Sequence, residues 1–301
     1  MKNSMAQGME CGGLARGGAA RAAAHDGGRG RAERFLEYGP AVYALMFIVL
    51  VLVISFLAPL LTPHGRDAID LDNMLARPSA EHALGTDDLG RDLFTRLIYA
   101  GRFSMLVALC SVAIAVGIGM AMGALAGYFG GVPDGLITVV MDLFLSVPVF
   151  LVILVSSSAC GGRLWLIPLI IGGTSWVETA RIVRALVFSL KEEGYVEAAR
   201  AAGAPAMYIV ARHVLPQAFP ALTVSAVVGF AQAMLMESAV SFLGFGVQPP
   251  VPTWGNMLQS AHVFIGQAPL AALAPGFMIF MTCLAFHFVG DGLRRMLAID
   301  R

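Results

Sequence analysis

Lysine is nearly missing from these 301 residues: only Lys2 and Lys191 occur, and neither follows a glycine. That excludes a Gly-x4-Gly-Lys-Ser/Thr loop, in which backbone amides cradle a nucleotide's phosphates and the lysine reaches the terminal ones. The chain does not hydrolyse ATP by that route. Charge is scarce altogether, at 13% against roughly 25% in an ordinary soluble domain. The twenty basic and twenty acidic residues cancel, so net charge gives no sign of nucleic acid. The four cysteines, Cys11, Cys110, Cys160 and Cys283, are scattered. They show no metal-ligand spacing and imply no disulfide framework. Cys110 and Cys283 lie in apolar stretches and read as small hydrophobes. Gly-x-Ser-x-Gly, His-Glu-x2-His and paired-aspartate arrangements are also missing, which argues against an intramembrane hydrolase. Residues 1–34 lack the apolar core of a cleavable signal peptide, and Glu10 and Asp26 weigh against a transit peptide. This Gly-, Ala- and Arg-rich stretch reads as a disordered cytoplasmic tail, with a single transmembrane domain over 35–301.

What the chain has is apolar length. Hydrophobic residues make up 57% and the mean hydropathy is +0.75. This predicts an integral membrane protein of all-α class. About 20 apolar residues cross a bilayer core, and six spans follow: about 41–61, 103–127, 136–158, 164–187, 219–243 and 269–289. Gly119, Gly123 and Gly127 in the second span form two Gly-x3-Gly pairs, which permit close helix packing; ordinary small residues in a crowded bundle are the other reading. Asp142 and Pro148 interrupt the third span. The fourth continues beyond its membrane part through Glu178, Arg181 and Arg184, with Glu178 spaced to meet Arg181. Pro148 and Pro168 are expected to bend their helices. Gly, Pro, Asn and Gln cluster at 244–267 and separate the last two spans.

Orientation follows from the basic residues in the loops. With the N-terminus inside, fourteen of the twenty lysines and arginines fall on the inner side and six on the outer. Both termini and the 188–218 loop are then cytoplasmic.

That loop reads as a helix, a tight turn and a second helix. Residues 195–202 are strong helix formers. Gly203 suits the left-handed position that ends a helix. Pro205 fits the first turn of the next one, and Pro216 is expected to halt it. The segment carries Glu-Ala-Ala-x3-Gly-x5-Ile-x5-Leu-Pro, with Glu197, Ala198, Ala199, Gly203, Ile209, Leu215 and Pro216 at the defined positions. It resembles the cytoplasmic docking loop of the membrane subunits of ABC-type importers. The resemblance implies that the hairpin sits in a cleft of a separate ATPase subunit, with Glu197 and Gly203 central.

Further segments extend the likeness. His82-Ala-Leu-Gly-Thr-Asp-Asp-Leu-Gly-Arg-Asp92, Ser241-Phe-Leu-Gly-Phe-Gly-Val-Gln-Pro-Pro250 with Trp254-Gly-Asn-Met257, and Gly290-Asp-Gly-Leu-Arg294 resemble the C-type membrane subunit of the dipeptide, oligopeptide and nickel branch. The Ser156 to Gly162 turn departs from that pattern. Residues 86–99 read as a helix capped by Thr86 or Asp87, lying on the outer membrane surface or packing on a partner permease. The 244–267 loop reads as a receptor contact, a lid or a plain connector.

Two acids lie within spans, where a charge normally faces the bundle interior or water. Asp142 and Glu237 are candidates for the substrate pathway or for helix-to-helix hydrogen bonding. His213 and His287 read as structural groups, so no metal ligand is assigned. The resemblance implies a permease subunit in a bacterial or archaeal inner membrane. It would have a homologous second permease, two ATPase subunits and an external solute-binding protein as partners. ATP and Mg would be used by the ATPases, and no cofactor would be bound by this chain. Dipeptides or oligopeptides lead as substrates, with nickel or a nickel chelate as the alternative. An ion-coupled secondary transporter is the competing class.

Overall fold

The computed structural model describes residues 35–161 and 163–297; the tail reading for 1–34 lies outside them. All regular structure among the described residues is helical. Five helices are long and apolar enough to cross a membrane, or six if a pair bent by 81° counts as one broken span. The long helices are α1 (Gly39–Phe56), α3 (Leu93–Phe129), α6 (Leu166–Leu190), α9 (Leu215–Phe242) and α11 (Pro269–Leu297). Shorter ones are α2 (Ala58–Leu61), α4 (Gly131–Ser146), α5 (Val149–Cys160), α7 (Gly194–Ala201), α8 (Ala206–Ile209) and α10 (Trp254–Ala261). Apolar side chains cover the outside of α1, with Tyr43, Met46, Leu50 and Phe56 all more than half exposed. An apolar surface of that extent suits hydrocarbon, where the helix satisfies its own backbone.

The glycine stripe closes the tightest helix pair. A Cβ at Gly119 would meet the Trp176 carbonyl oxygen at 2.8 Å, at Gly123 that of Ala180 at 2.5 Å, and at Gly127 that of Arg184 at 2.7 Å. Gly172 repeats the contact from the other side, against Ser111. Small residues let α3 and α6 touch backbone to backbone, which supplies dispersion contact that lipid cannot replace.

Several expectations need correction. Residues 86–92 are a loop, and no separate surface helix exists: α3 begins at Leu93 and runs on as the second span. Gly90 adopts a left-handed φ of 72°, and Asp87 accepts from the amides of Leu89 and Arg91 at 2.9 Å each. The chain therefore turns here. The cap is Asp92, which accepts from Thr95 N–H at 2.8 Å, in place of Thr86 or Asp87. Arg96, within that segment, is buried and directed at Asp87.

The third span is two helices meeting at 81°. Val147 is extended, as the residue before a proline prefers, and Pro148 opens the second half. That half runs to Cys160, so Ser156 belongs to helix and Gly161 ends it in the left-handed region. Pro168 falls in the first turn of α6, which starts at Leu166, where a proline removes no helical hydrogen bond. Arg181 turns away from Glu178 and pairs with Asp142 at 3.0 Å.

Candidate functional site

The hairpin is built by its punctuation. Ala202 ends α7 and Gly203 takes φ 82°. Gly203 N–H donates to the Arg200 carbonyl (3.0 Å) and Ala204 N–H to that of Ala199 (3.1 Å). Those are the two bonds of a Schellman cap. Pro205, in extended conformation, then starts α8. Pro216 does not halt the second helix. Residues Val210–Val214 form one π-helical turn, and Leu215 N–H reaches back to the Val210 carbonyl. The wider turn lets Pro216 enter in the first turn of α9, where its missing N–H is tolerated.

The seven motif positions divide into two sets. Ile209 is fully buried, while Ala199 and Leu215 are half-buried. With Val196, Val210 and Val214 they pack against Ala124 of α3, Val183 and Val187 of α6, and Ala218 and Leu222 of α9. Glu197, Ala198, Gly203 and Pro216 face out. Beside them lie the exposed side chains of Met207 and Tyr208. The inner set fastens the hairpin to the ends of three spans. The outer set is a small-residue surface with one carboxylate, open to a visitor.

Above the hairpin is a cavity of about 1090 Å³ between α3, α6, α9 and α11. Glu193, Gln217 and Arg294 line its hairpin end, and Ser111, Ile171 and Gln232 its deep end. Ser175, Glu178, Thr179, Ile182 and Ser189 place one face of α6 along it. Sequence reading missed these as a set, although their three- and four-residue spacing of polar side chains in an apolar helix was the signal.

Asp142 lies away from this cavity. It joins α4 to α6 through Arg181, and one step along Asp134 holds Arg184 in a bidentate pair, with Nη2 to Oδ2 at 2.7 Å. Glu237 lies beyond the cavity's deep end and is wholly buried. Ser241 Oγ donates to its Oε1 at 2.7 Å, and the hydroxyls of Ser238, Thr253 and Ser104 also reach it. Ser241 Oγ accepts from Val247 N–H (3.3 Å) and Ser104 Oγ from Trp254 N–H (3.0 Å). Glu237 is thus the centre of a polar knot that ties the 244–256 loop to α3 and α9.

The loop itself is firmly anchored to the bundle. Trp254 is fully buried and its indole N–H donates to the Leu97 carbonyl at 3.0 Å. Thr253 and Asn256 form a capping box for α10, and the Asn256 side chain holds the Val247 and Val251 carbonyls. His287 Nδ1 meets the Cys283 carbonyl at 2.9 Å and His213 lies edge-on to Tyr208.

Residues 115–298 match the family described as binding-protein-dependent transport system inner membrane component. The dipeptide transport system permease protein DppC of Alkalihalophilus pseudofirmus is 39% identical, over 84% of this chain and 84% of its own. The glutathione transport system permease protein GsiD of Pectobacterium atrosepticum is 36% identical, covering 87% of each chain. The oligopeptide transport system permease protein OppC of Haemophilus influenzae is 34% identical, over 87% of this chain and 85% of its own.

Proposed function

The chain belongs to the family of binding-protein-dependent transport system inner membrane components, a membrane-embedded permease subunit of an ABC importer, and from that premise we propose that it moves dipeptides or oligopeptides inward under force applied to the 194–216 hairpin. Relatives named for dipeptides, oligopeptides and glutathione support the peptide class over nickel. A second homologous permease faces the open side of the cavity and completes the path. Two ATPase subunits bind ATP and Mg and do the hydrolysis, since this chain has no phosphate loop. An external solute-binding protein delivers substrate at the 244–267 end. No cofactor is bound by this chain.

The carrying observation is the division of the motif: its buried positions anchor in the feet of α3, α6 and α9, and its exposed positions point outward from directly beneath the cavity. A partner that grips Glu197, Ala198 and Gly203 therefore moves three pore-lining helices together. When the ATPases close on nucleotide, their clefts draw the hairpins and rock the spans outward-facing. Hydrolysis then resets them. The hairpin lies on the cytoplasmic side with both termini. Basic residues favour this sidedness: Arg184, Lys191, Arg200, Arg212, Arg294 and Arg295 accompany the hairpin's end of the bundle.

Uptake of labelled dipeptide and of nickel in a strain deleted for this chain tests the reading. Restoration of peptide uptake alone by the intact chain is the expected result. Nickel uptake alone would move the substrate class, and uptake with the ATPase subunits also deleted would end the importer reading.

A further inference from the structure

We propose that His64, His82 and Asp92 form a binding site for one divalent first-row transition-metal ion, of the Zn2+ and Co2+ class, at the end of the bundle opposite the hairpin. Three separate stretches supply the ligands: the turn after α2, the loop before α3, and the cap of α3 itself. Their ligand atoms all lie within 4.8 Å of one another. His82 Nδ1 and Asp92 Oδ1 are 3.0 Å apart and share a hydrogen bond whose proton an ion would replace. Two ligands held at about 2.0–2.1 Å from one ion, at roughly right-angled geometry, have about that separation.

The geometry is prepared from behind. Asp92 Oδ2 accepts from Thr95 N–H, which fixes the carboxylate and leaves Oδ1 forward. His82 is held by its backbone, whose N–H donates to Ser79 Oγ at 3.0 Å and whose carbonyl accepts from Ser79 and Gly85. Support of this kind orients metal ligands. His82 and Asp92 are 8% and 6% exposed, whereas His64 is half-buried and lies on the open side. The His64 ring stands 4.9 Å from that of His82, centroid to centroid, and among the described residues has no other partner. Rotation of this one side chain closes the set, and entry is from its side.

Two imidazoles and a carboxylate select borderline ions over calcium or magnesium, which take oxygen donors. Water would fill the remaining positions. The Asp70 carboxylate, which accepts from Asn73 Nδ2 at 2.8 Å, adds negative charge nearby. An ion here joins the 62–92 stretch to the start of α3, so its effect is to fasten the outer loop.

The test uses the complete transport complex carrying a tag without histidine, stripped with chelator and free of nucleotide. It is titrated with Co2+ while visible d–d absorption is followed, and with Zn2+ against a chromogenic chelator. The intact complex should take one equivalent that His64→Gln binds at least about tenfold more weakly. Asp92→Asn, which still caps a helix, should weaken it likewise. Partner subunits are identical in all three samples, so the difference belongs to this chain. Absence of that equivalent in the intact complex, or an unchanged titration in either variant, overturns the site.

Discussion

Gly123 of α3 lies against the Ala180 carbonyl of α6 so closely that a Cβ added to it would stand 2.5 Å from that oxygen. Backbone cannot yield as a flexible side chain does. Overpacking a close-packed site costs typically about 1–3 kcal/mol, and here the whole helix pair must separate. Gly123→Leu should therefore lower the unfolding temperature of the detergent-solubilised complex and reduce its yield. Gly117, on the same helix, has open space around its Cβ position, so Gly117→Leu should leave both unchanged. Equal melting of the two variants would show that the glycine stripe does not hold these helices.

Glu237 sits at the centre of the hydroxyl knot that ties the 244–256 loop to α3 and α9. It is fully buried and surrounded by hydroxyls that in turn hold Val247 and Trp254. Glu237→Leu would strand Ser104 and Ser241, and a buried unsatisfied polar group costs about 1–3 kcal/mol. The expected outcome is reduced thermal stability and earlier proteolysis of the 244–256 loop, with Glu237→Gln milder. Uptake per folded complex should keep its apparent substrate affinity in the Gln variant. A changed substrate preference with unchanged melting would return Glu237 to the pathway.

The hairpin was legible because glycine and proline mark its turns by backbone geometry alone: Gly203 has the left-handed φ that its position after an alanine-rich helix implies. The six apolar stretches were legible from length. What escaped were features set by partners distant in sequence. Arg96 lies in the segment read as a surface helix, but it is buried where Asp87 and Asp67 come to it. The polar knot at Glu237 joins residues from 104 to 253 and has no local signature. Pro216 read as a stop, yet the π turn before it absorbs the ring and the helix continues. Asp142 found its cation on α6, 39 residues away in the chain.

Replacing Gly203 isolates backbone conformation from crowding. No atom lies within 4 Å of a Cβ there, yet φ is 82°. A left-handed L-residue costs roughly 1–2 kcal/mol, and β-branched residues are the least tolerant. Gly203→Val should loosen the Schellman cap, weaken retention of the ATPase subunits on affinity purification and reduce peptide uptake, while Gly203→Asn should retain most of both. Valine and asparagine behaving alike would mean that the turn's geometry does not matter for coupling.

Glu197 separates coupling from folding more cleanly still. It is exposed on the outer face of α7, where surface substitutions usually shift stability by no more than about 0.5 kcal/mol. Glu197→Lys should therefore leave the melting temperature of the isolated chain in place. We propose that Glu197 pairs with a cation of the ATPase cleft; the reversal then sets like charges against each other, so substrate-stimulated ATP hydrolysis and uptake should both fall by at least about tenfold, corresponding to some 1.4 kcal/mol of lost interaction. A compensating acidic residue on the ATPase should recover part of the loss, because the defect lies in the pairing and not in this chain. Full activity in the Lys variant, with the ATPases still bound, would show that force enters the bundle elsewhere than through this face of the hairpin.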